Sequence, residues 1–314
     1  MDAGTDAHRE REGFFGQAKV VAGLTMLSRV LGMLRDMAIA SLGANRMTGA
    51  FVLAFTIPNL FRRLFGEGAL AAAFVPVFSQ TDEAGGRDRG RAVFANALGL
   101  LALAVSGAVL AVWAGLLIWG AVAPGDVYRR TLISLTSLML PFTVTTCLLA
   151  LAAAALNCRG HFAYPAFAPI LLNICMIVAA WGLAPHWPKI ADRLTVIAAA
   201  VTAAGVVQLA GVAWLLRRHG LPLRPRLRPV LPEIRQMVRL MIPMVLGLGF
   251  LQVSELLNRV IAWVFAATPT RQTVTLFGSE LARPLAEGVL MRVYTAQRLY
   301  QLPMSVLAIS LGVV

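Results

Sequence analysis

Long apolar runs separated by short polar breaks dominate the chain. A bilayer-spanning helix needs about 20 apolar residues, and runs of that order fall at 18–42, 50–78, 93–122, 131–156, 166–183, 194–216 and 241–267. A further run begins near Met291. None shows the strict alternation of a membrane β-strand. The breaks are of three kinds. Short turns lie at 43–46, 123–126, 157–165 and 185–193; a charged, glycine-containing loop is expected at 80–91; and a longer loop of mixed charge is expected at 268–290. The pattern predicts an all-α fold, a polytopic transmembrane helix bundle.

Charges inside the apolar runs carry the functional signal. On the first run Thr25, Ser28, Arg29, Gly32, Arg35 and Asp36 recur at helical spacing and form one polar, small-residue stripe. Arg29 and Asp36 lie two turns apart on it, which suggests an ion pair. The second run carries Asn59, Arg62 and Arg63 just after Pro58, with Glu67 one turn beyond Arg63. Each arginine near a helix centre costs about 2.5–3.5 kcal/mol on insertion scales, so side chains of this kind face protein or a wet cavity rather than lipid. The bland alternative is a set of structural pairs, Arg29–Asp36 and Arg63–Glu67. Arg35, Arg62 and Arg298 lack such local partners. The seventh run adds Glu255, Asn258 and Arg259, and the eighth adds Gln297, Arg298, Gln301 and Pro303.

Composition narrows the class. The 314 residues are 58% hydrophobic and only 14% charged, against about 25% charged in soluble domains. The net charge of +13 would point to nucleic acid in a soluble protein. Here the basic residues lie mainly in loops, where they orient the chain and meet anionic membrane lipids. The most basic stretch, 217–239, holds Arg217, Arg218, Arg224, Arg226, Arg228, Arg235 and Arg239 among four prolines. The positive-inside rule places it in the cytoplasm, and the N-terminus with it after six crossings. Cys147, Cys158 and Cys175 have no metal or redox spacing, and the four histidines are scattered singly. No carboxylate cluster stands at metal spacing, so neither metal, cofactor nor catalysis is expected. Residues 1–16 read as a polar tail without the features of a signal peptide.

Five motifs carry a resemblance: SRVLGMLRD at 28–36, IPNLFRRLFGEGA at 57–69, AFVP at 73–76, PAFAPILLN at 165–173 and RLYQLP at 298–303. In this order they resemble the MurJ (MviN) family of lipid II flippases, within the MOP exporter superfamily. The resemblance implies two six-helix lobes facing a central cavity. This chain would supply the first six-helix lobe plus the first helices of the second. It implies movement of an undecaprenyl-pyrophosphate-linked peptidoglycan precursor across the bacterial cytoplasmic membrane by alternating access. It also implies that Arg35, Arg62 and Arg298 meet the pyrophosphate, that Arg29 and Asn59 support the same site, and that Asp36, Arg63 and Glu67 shape a gate. Cell-wall synthesis machinery is an implied partner. The chain departs from the family pattern at Gly49 and at Asn258, where an acid linked to cation coupling stands in some members; Glu255 is close by.

The resulting division is a tail (1–16), a six-helix lobe (17–216), a basic cytoplasmic linker (217–239) and the start of a second lobe (240–314). The chain stops at Val314 within an apolar run, which suggests a fragment of a longer reading frame. Three rivals stand beside the flippase reading. One is another exporter of the same superfamily, for drugs or lipid-linked oligosaccharide; a drug or toxin exporter would accept organic cations and so should have an acidic, aromatic-lined cavity. An inactive scaffold would follow from a missing second lobe, and a membrane enzyme would need a metal.

Overall fold

The computed structural model describes residues 3–66, 69–122, 126–267, 272–276 and 279–312. Its helices run alternately from one end of a bundle to the other. They are α1 (Ala3–Ala40), α2 (Arg46–Phe61) with α3 (Ala69–Ala84), α4 (Gly86–Val122), α5 (Val127–Cys158), α6 (Ala163–Ile177), α7 (Ile190–Arg218), α8 (Pro232–Phe265) and α9 (Val289–Gly312). Among the described residues five passages are individually long and apolar enough to cross a membrane: α4, α5, α6 with its extension to His186, α7 and α8. α1 already begins at Ala3, well ahead of the apolar run.

The run at 50–78 is not one continuous α-helix. α2 ends at Phe61 and a π-helical turn, Arg62–Gly66, carries both arginines before α3 resumes at Ala69. A π turn widens the helix and breaks its hydrogen-bond register, and such turns often mark functional sites. The expected loop at 80–91 is also mostly helical. α3 continues to Ala84 and α4 starts at Gly86, whose φ of +72° suits glycine. At 268–290 the described part is an antiparallel hairpin, β1 (Thr273–Leu276) with β2 (Ser279–Ala282), rather than an irregular loop. Arg283 ties it down, donating to the carbonyls of Val264, Ala266 and Thr273 at 2.6, 2.9 and 3.0 Å.

Two large apolar cores among the described residues hold the bundle, with a smaller cluster of Val105, Val109, Leu140 and Cys147 between α4 and α5. One gathers Phe51, Leu135, Met139, Phe142, Met176 and Val201, from α2, α5, α6 and α7. The other, toward the opposite end, contains Phe74, Phe78, Phe94 and Leu151, with the Phe74 and Phe78 rings 4.9 Å apart. α4 and α8 turn large apolar side chains outward, among them Leu117, Ile118, Leu246 and Phe250. Such contiguous exposure suits lipid or protein contact, not water.

The basic linker is fastened to this second end. The Asn96 amide donates to the Arg226 carbonyl (3.0 Å) and accepts from the Leu231 N–H (3.0 Å), while the Arg226 N–H donates to the Ala95 carbonyl (2.8 Å). Gly99 makes the approach possible, because a Cβ there would strike the Arg226 backbone. Arg91 donates to the Gly220 carbonyl (2.8 Å), and Arg89 forms a two-pronged pair with Glu233 at 2.8 and 3.0 Å.

Beside the linker, the His161 and His219 rings meet with centroids 3.7 Å apart. Arg159 donates to the His219 carbonyl (2.7 Å) and to Asp82 (3.0 Å). Burial first, then the positive fields of His161 and Arg159, push the His219 imidazole below its ordinary 6.5.

Two outcomes follow for stability. Gly99→Ala forces backbone against backbone, and overpacking of this kind costs about 1–3 kcal/mol. It should lower the melting temperature of the detergent-solubilised protein, whereas Gly107→Ala, which meets nothing within 4 Å, should not; equal melting would refute the close approach. For His219 the depressed pKa means the folded state resists protonation. Its contribution is therefore complete above about pH 6.5 and is lost as pH falls through the depressed value. Melting measured from about pH 7.5 down to about pH 5 should show a steeper loss in the wild type than in His219→Gln. Parallel curves would remove His219 from the account.

Candidate membrane-embedded cationic cavity

Asp36, near the end of α1, is 6% exposed and gathers donors from its own helix and from α9. Its Oδ1 accepts from Arg35 Nε (2.9 Å), Arg35 Nη2 (2.7 Å) and the Tyr294 hydroxyl (2.6 Å). Its Oδ2 faces Arg298 Nε at 3.1 Å. Arg35 continues the chain of contacts, donating from Nη1 to Asn173 Oδ1 (2.9 Å), and Asn173 donates in turn to the Ser28 carbonyl (2.9 Å). Aromatic faces complete the setting: Arg298 lies 5.1 Å from the Tyr294 ring centroid and Arg35 5.8 Å from that of Phe55.

This arrangement replaces the Arg29–Asp36 pair expected from the stripe. Asp36 is taken by its chain neighbour Arg35, by Tyr294 and by Arg298. A guanidinium on a long stem folds around to the adjacent carboxylate, although neighbouring residues point about 100° apart on a helix. Arg35 and Arg298, which have no acid one turn away in sequence, thus share one across the fold. Arg29 instead lines a cavity of about 1000 Å³ beside the cluster.

That cavity also receives Arg35, Asp36, Asn59, Arg62, Arg63 and Arg298. Arg62 and Arg63 arrive there on the π turn, and Arg62 Nε donates to Asn59 Oδ1 (3.1 Å). Among the described residues, five arginines and one carboxylate therefore line this cavity, with an apolar remainder from α5 and α6 that includes Phe142 and Leu172. In a medium of low dielectric such an excess of fixed positive charge attracts an anion and repels a cation. Glu67 lies outside the described residues, and so does its pairing with Arg63.

Glu255 borders this group, lining a smaller pocket with Asn59, Arg63, Arg259, Tyr294 and Arg298, whereas Asn258 lines neither pocket. Glu255 Oε1 accepts from Arg259 Nε (3.1 Å) and Nη2 (2.6 Å), which engages the carboxylate with its own helix. Arg259 also approaches Gln297 Oε1 at 3.5 Å, and Asn258 is exposed. Among the described residues no group of three His, Cys, Asp or Glu side chains could hold a metal ion.

Two members of the cluster escaped the sequence reading. Tyr294 precedes Arg298 by one helical turn, a spacing that places both on one face. Asn173 is an amide within an otherwise apolar stretch of α6, where a buried polar group needs a partner. Neither signal says which partner, since both contacts span more than a hundred residues.

The family model for Lipid II flippase MurJ matches residues 39–314. A probable lipid II flippase MurJ from Bdellovibrio bacteriovorus is 34% identical over 96% of this chain and 55% of its own length. The chain thus spans about half the length of the curated relatives it matches. Among solved structures, a lipid II flippase MurJ in an inward closed conformation superposes with a TM-score of 0.69 at 18% identity, over 90% of this chain and 54% of that one. An inward-facing multidrug resistance MATE family transporter of the MOP superfamily superposes with a TM-score of 0.62 at 15% identity, over 88% and 60%. These two likenesses establish the fold, an all-α bundle of membrane-spanning helices. With sequence identity above 30% and a family match over most of its length, the chain belongs to the lipid II flippase MurJ family.

Proposed function

We propose that this protein moves lipid II, an undecaprenyl-pyrophosphate-linked peptidoglycan precursor, across the bacterial cytoplasmic membrane by alternating access. The observation that carries the reading is the cavity in which, among the described residues, Arg29, Arg35, Arg62, Arg63 and Arg298 stand with one acid, Asp36. A diphosphate loses its hydration on entering a membrane protein, and only fixed cations offset that loss. Arginine does so with directional, two-pronged bonds to phosphate oxygens, while the polyprenyl tail stays in the bilayer. An organic cation would meet repulsion on the same surface, which disfavours a drug exporter.

In this proposal Arg35, Arg62 and Arg298 grip the diphosphate, with Arg29 and Asn59 in support. Asp36 holds Arg35 and Arg298 together when the site is empty, and substrate oxygens compete for the same guanidinium groups. Arg63 and Glu67 belong to the gate. Residues 17–216 form one lobe, 217–239 a cytoplasmic linker whose arginines meet anionic lipid, and 240–314 the start of a second lobe. The N-terminus is cytoplasmic. The part is one of transport and not of catalysis. Glu255 and Asn258 are candidates for cation coupling, with Glu255 released from Arg259 in another state of the cycle.

The test is labelling of the precursor headgroup on the outer side of bacteria depleted of their own flippase. Expression of this protein should restore labelling, and Arg62→Ala should abolish it. The purified protein should bind undecaprenyl pyrophosphate, with affinity falling by about tenfold or more in Arg62→Ala and in Arg298→Ala, the worth of a charged hydrogen bond. Arg62→Ala that restores labelling at wild-type membrane levels would overturn the proposed grip.

A further inference from the structure

Three side chains among the described residues donate to Asp36, and one of them is unlike the others. Arg35 and Arg298 are charged and line the large cavity. Tyr294 is neutral and does not line it. Its side chain is 5% exposed and borders only the smaller pocket, beside Glu255 and Arg259. The ring is also held from other directions. It belongs to the apolar core that contains Phe51 and Met291, and the Arg259 guanidinium lies 5.6 Å from its centroid. Arg259 is in turn engaged by Glu255 at 2.6 and 3.1 Å. Tyr294 therefore keeps its place whether or not the two cavity arginines stay on Asp36.

An arriving diphosphate creates a difficulty at this point. Phosphate oxygens that draw Arg35 and Arg298 toward themselves take donors from a carboxylate that is 6% exposed, and a buried charge stripped of its partners is strongly unfavourable. A group that stays with Asp36 through the exchange must be a donor, must lie beyond the ligand, and must not depend on the arginines for its position. The Tyr294 hydroxyl, 2.6 Å from Asp36 Oδ1, meets all three conditions. Because it is neutral, it also leaves the charge of Asp36 to the arginines when the site is empty. We infer that Tyr294 is a positioning residue for this exchange: its hydroxyl keeps Asp36 satisfied while Arg35 and Arg298 pass to the diphosphate, and so sets the affinity of the site without touching the ligand. This inference rests on the proposed lipid-diphosphate substrate and adds what allows the two arginines to be released to it.

The experiment is a double-mutant cycle on the purified full chain, with affinity for undecaprenyl pyrophosphate read by native mass spectrometry. The four proteins are the wild type, Tyr294→Phe, Asp36→Asn and the double variant. Phenylalanine keeps the ring beside Arg259 and Arg298 and removes only the hydroxyl. Tyr294→Phe should weaken binding by about tenfold, the worth of a hydrogen bond to a charged group. With Asp36→Asn no charge is left bare, so adding Tyr294→Phe there should change affinity by less than about twofold. A Tyr294→Phe protein with wild-type affinity overturns the inference. So does an equal loss in both backgrounds, which is what a role in packing alone would produce. Loss of all binding in Asp36→Asn would overturn it too, because on this account the carboxylate competes with the ligand. If Tyr294→Phe does not run as a monodisperse species on size exclusion, Tyr294→Met, which fills the space without a hydroxyl, is judged on the same cycle. Failure of the wild type to bind undecaprenyl pyrophosphate would instead sink the substrate reading itself, so the two failures are distinct.

Discussion

A single carboxylate inside the bundle, that of Asp36, sets the positions of the groups around it. Four donors converge on it, two from Arg35 and one each from Tyr294 and Arg298. Removing one partner of a buried ion pair costs about 3–5 kcal/mol, because the other charge is left without compensation. Asp36 therefore cannot be moved without releasing Arg35 and Arg298, and neither arginine can leave without a replacement anion. Since Arg298 and Tyr294 come from α9 and Asp36 from α1, this contact also joins the first helix of the bundle to the last.

The rest of the architecture serves the same concentration of charge. The π turn at Arg62–Gly66 brings two arginines to the cavity within one membrane passage. A regular helix would spread consecutive side chains by about 100° around its axis. Asn173 fixes the far side of Arg35 and ties it to the α1 backbone. Across the cavity, apolar residues of α5 and α6 keep the local dielectric low and so strengthen every charge that faces it. At the distant end, the linker clamped by Asn96 is anchored far from this chemistry, and its arginines lie outward.

An ordered cluster of like charges is held at a cost, and the fold meets that cost in two ways. Arg35 and Arg298 share the one negative charge of Asp36, whereas Arg29 keeps a buried donor without a partner among the described residues. On the proposed reading, an incoming diphosphate is attractive because it supplies the counter-charge the protein has withheld. The same exchange would loosen the α1–α9 contact, so binding and rearrangement draw on one set of bonds.

What the chain declares by itself is its solvent and its anomalies. Runs of apolar residues must become helices because lipid offers no partner for backbone N–H and C=O groups, and the observed helices follow those runs. Arginines within the runs stand out for the same reason, and Arg29, Arg35, Arg62 and Arg298 do line one cavity. Pairing was another matter. Helical periodicity is a local rule, and it matched Arg29 to Asp36 because both lie on one stripe. The choice of Arg35, Tyr294 and Arg298 depends on α9 packing against α1, a contact between segments about 260 residues apart. The π turn, the nearly unbroken helices across 80–91 and the hairpin after α8 were likewise invisible to periodicity, because each is decided by neighbours from elsewhere in the chain. Composition determined that charge would be hidden from lipid; only the tertiary structure decided which charges would meet, since a guanidinium reaches whatever anion the fold places within about 3 Å of it.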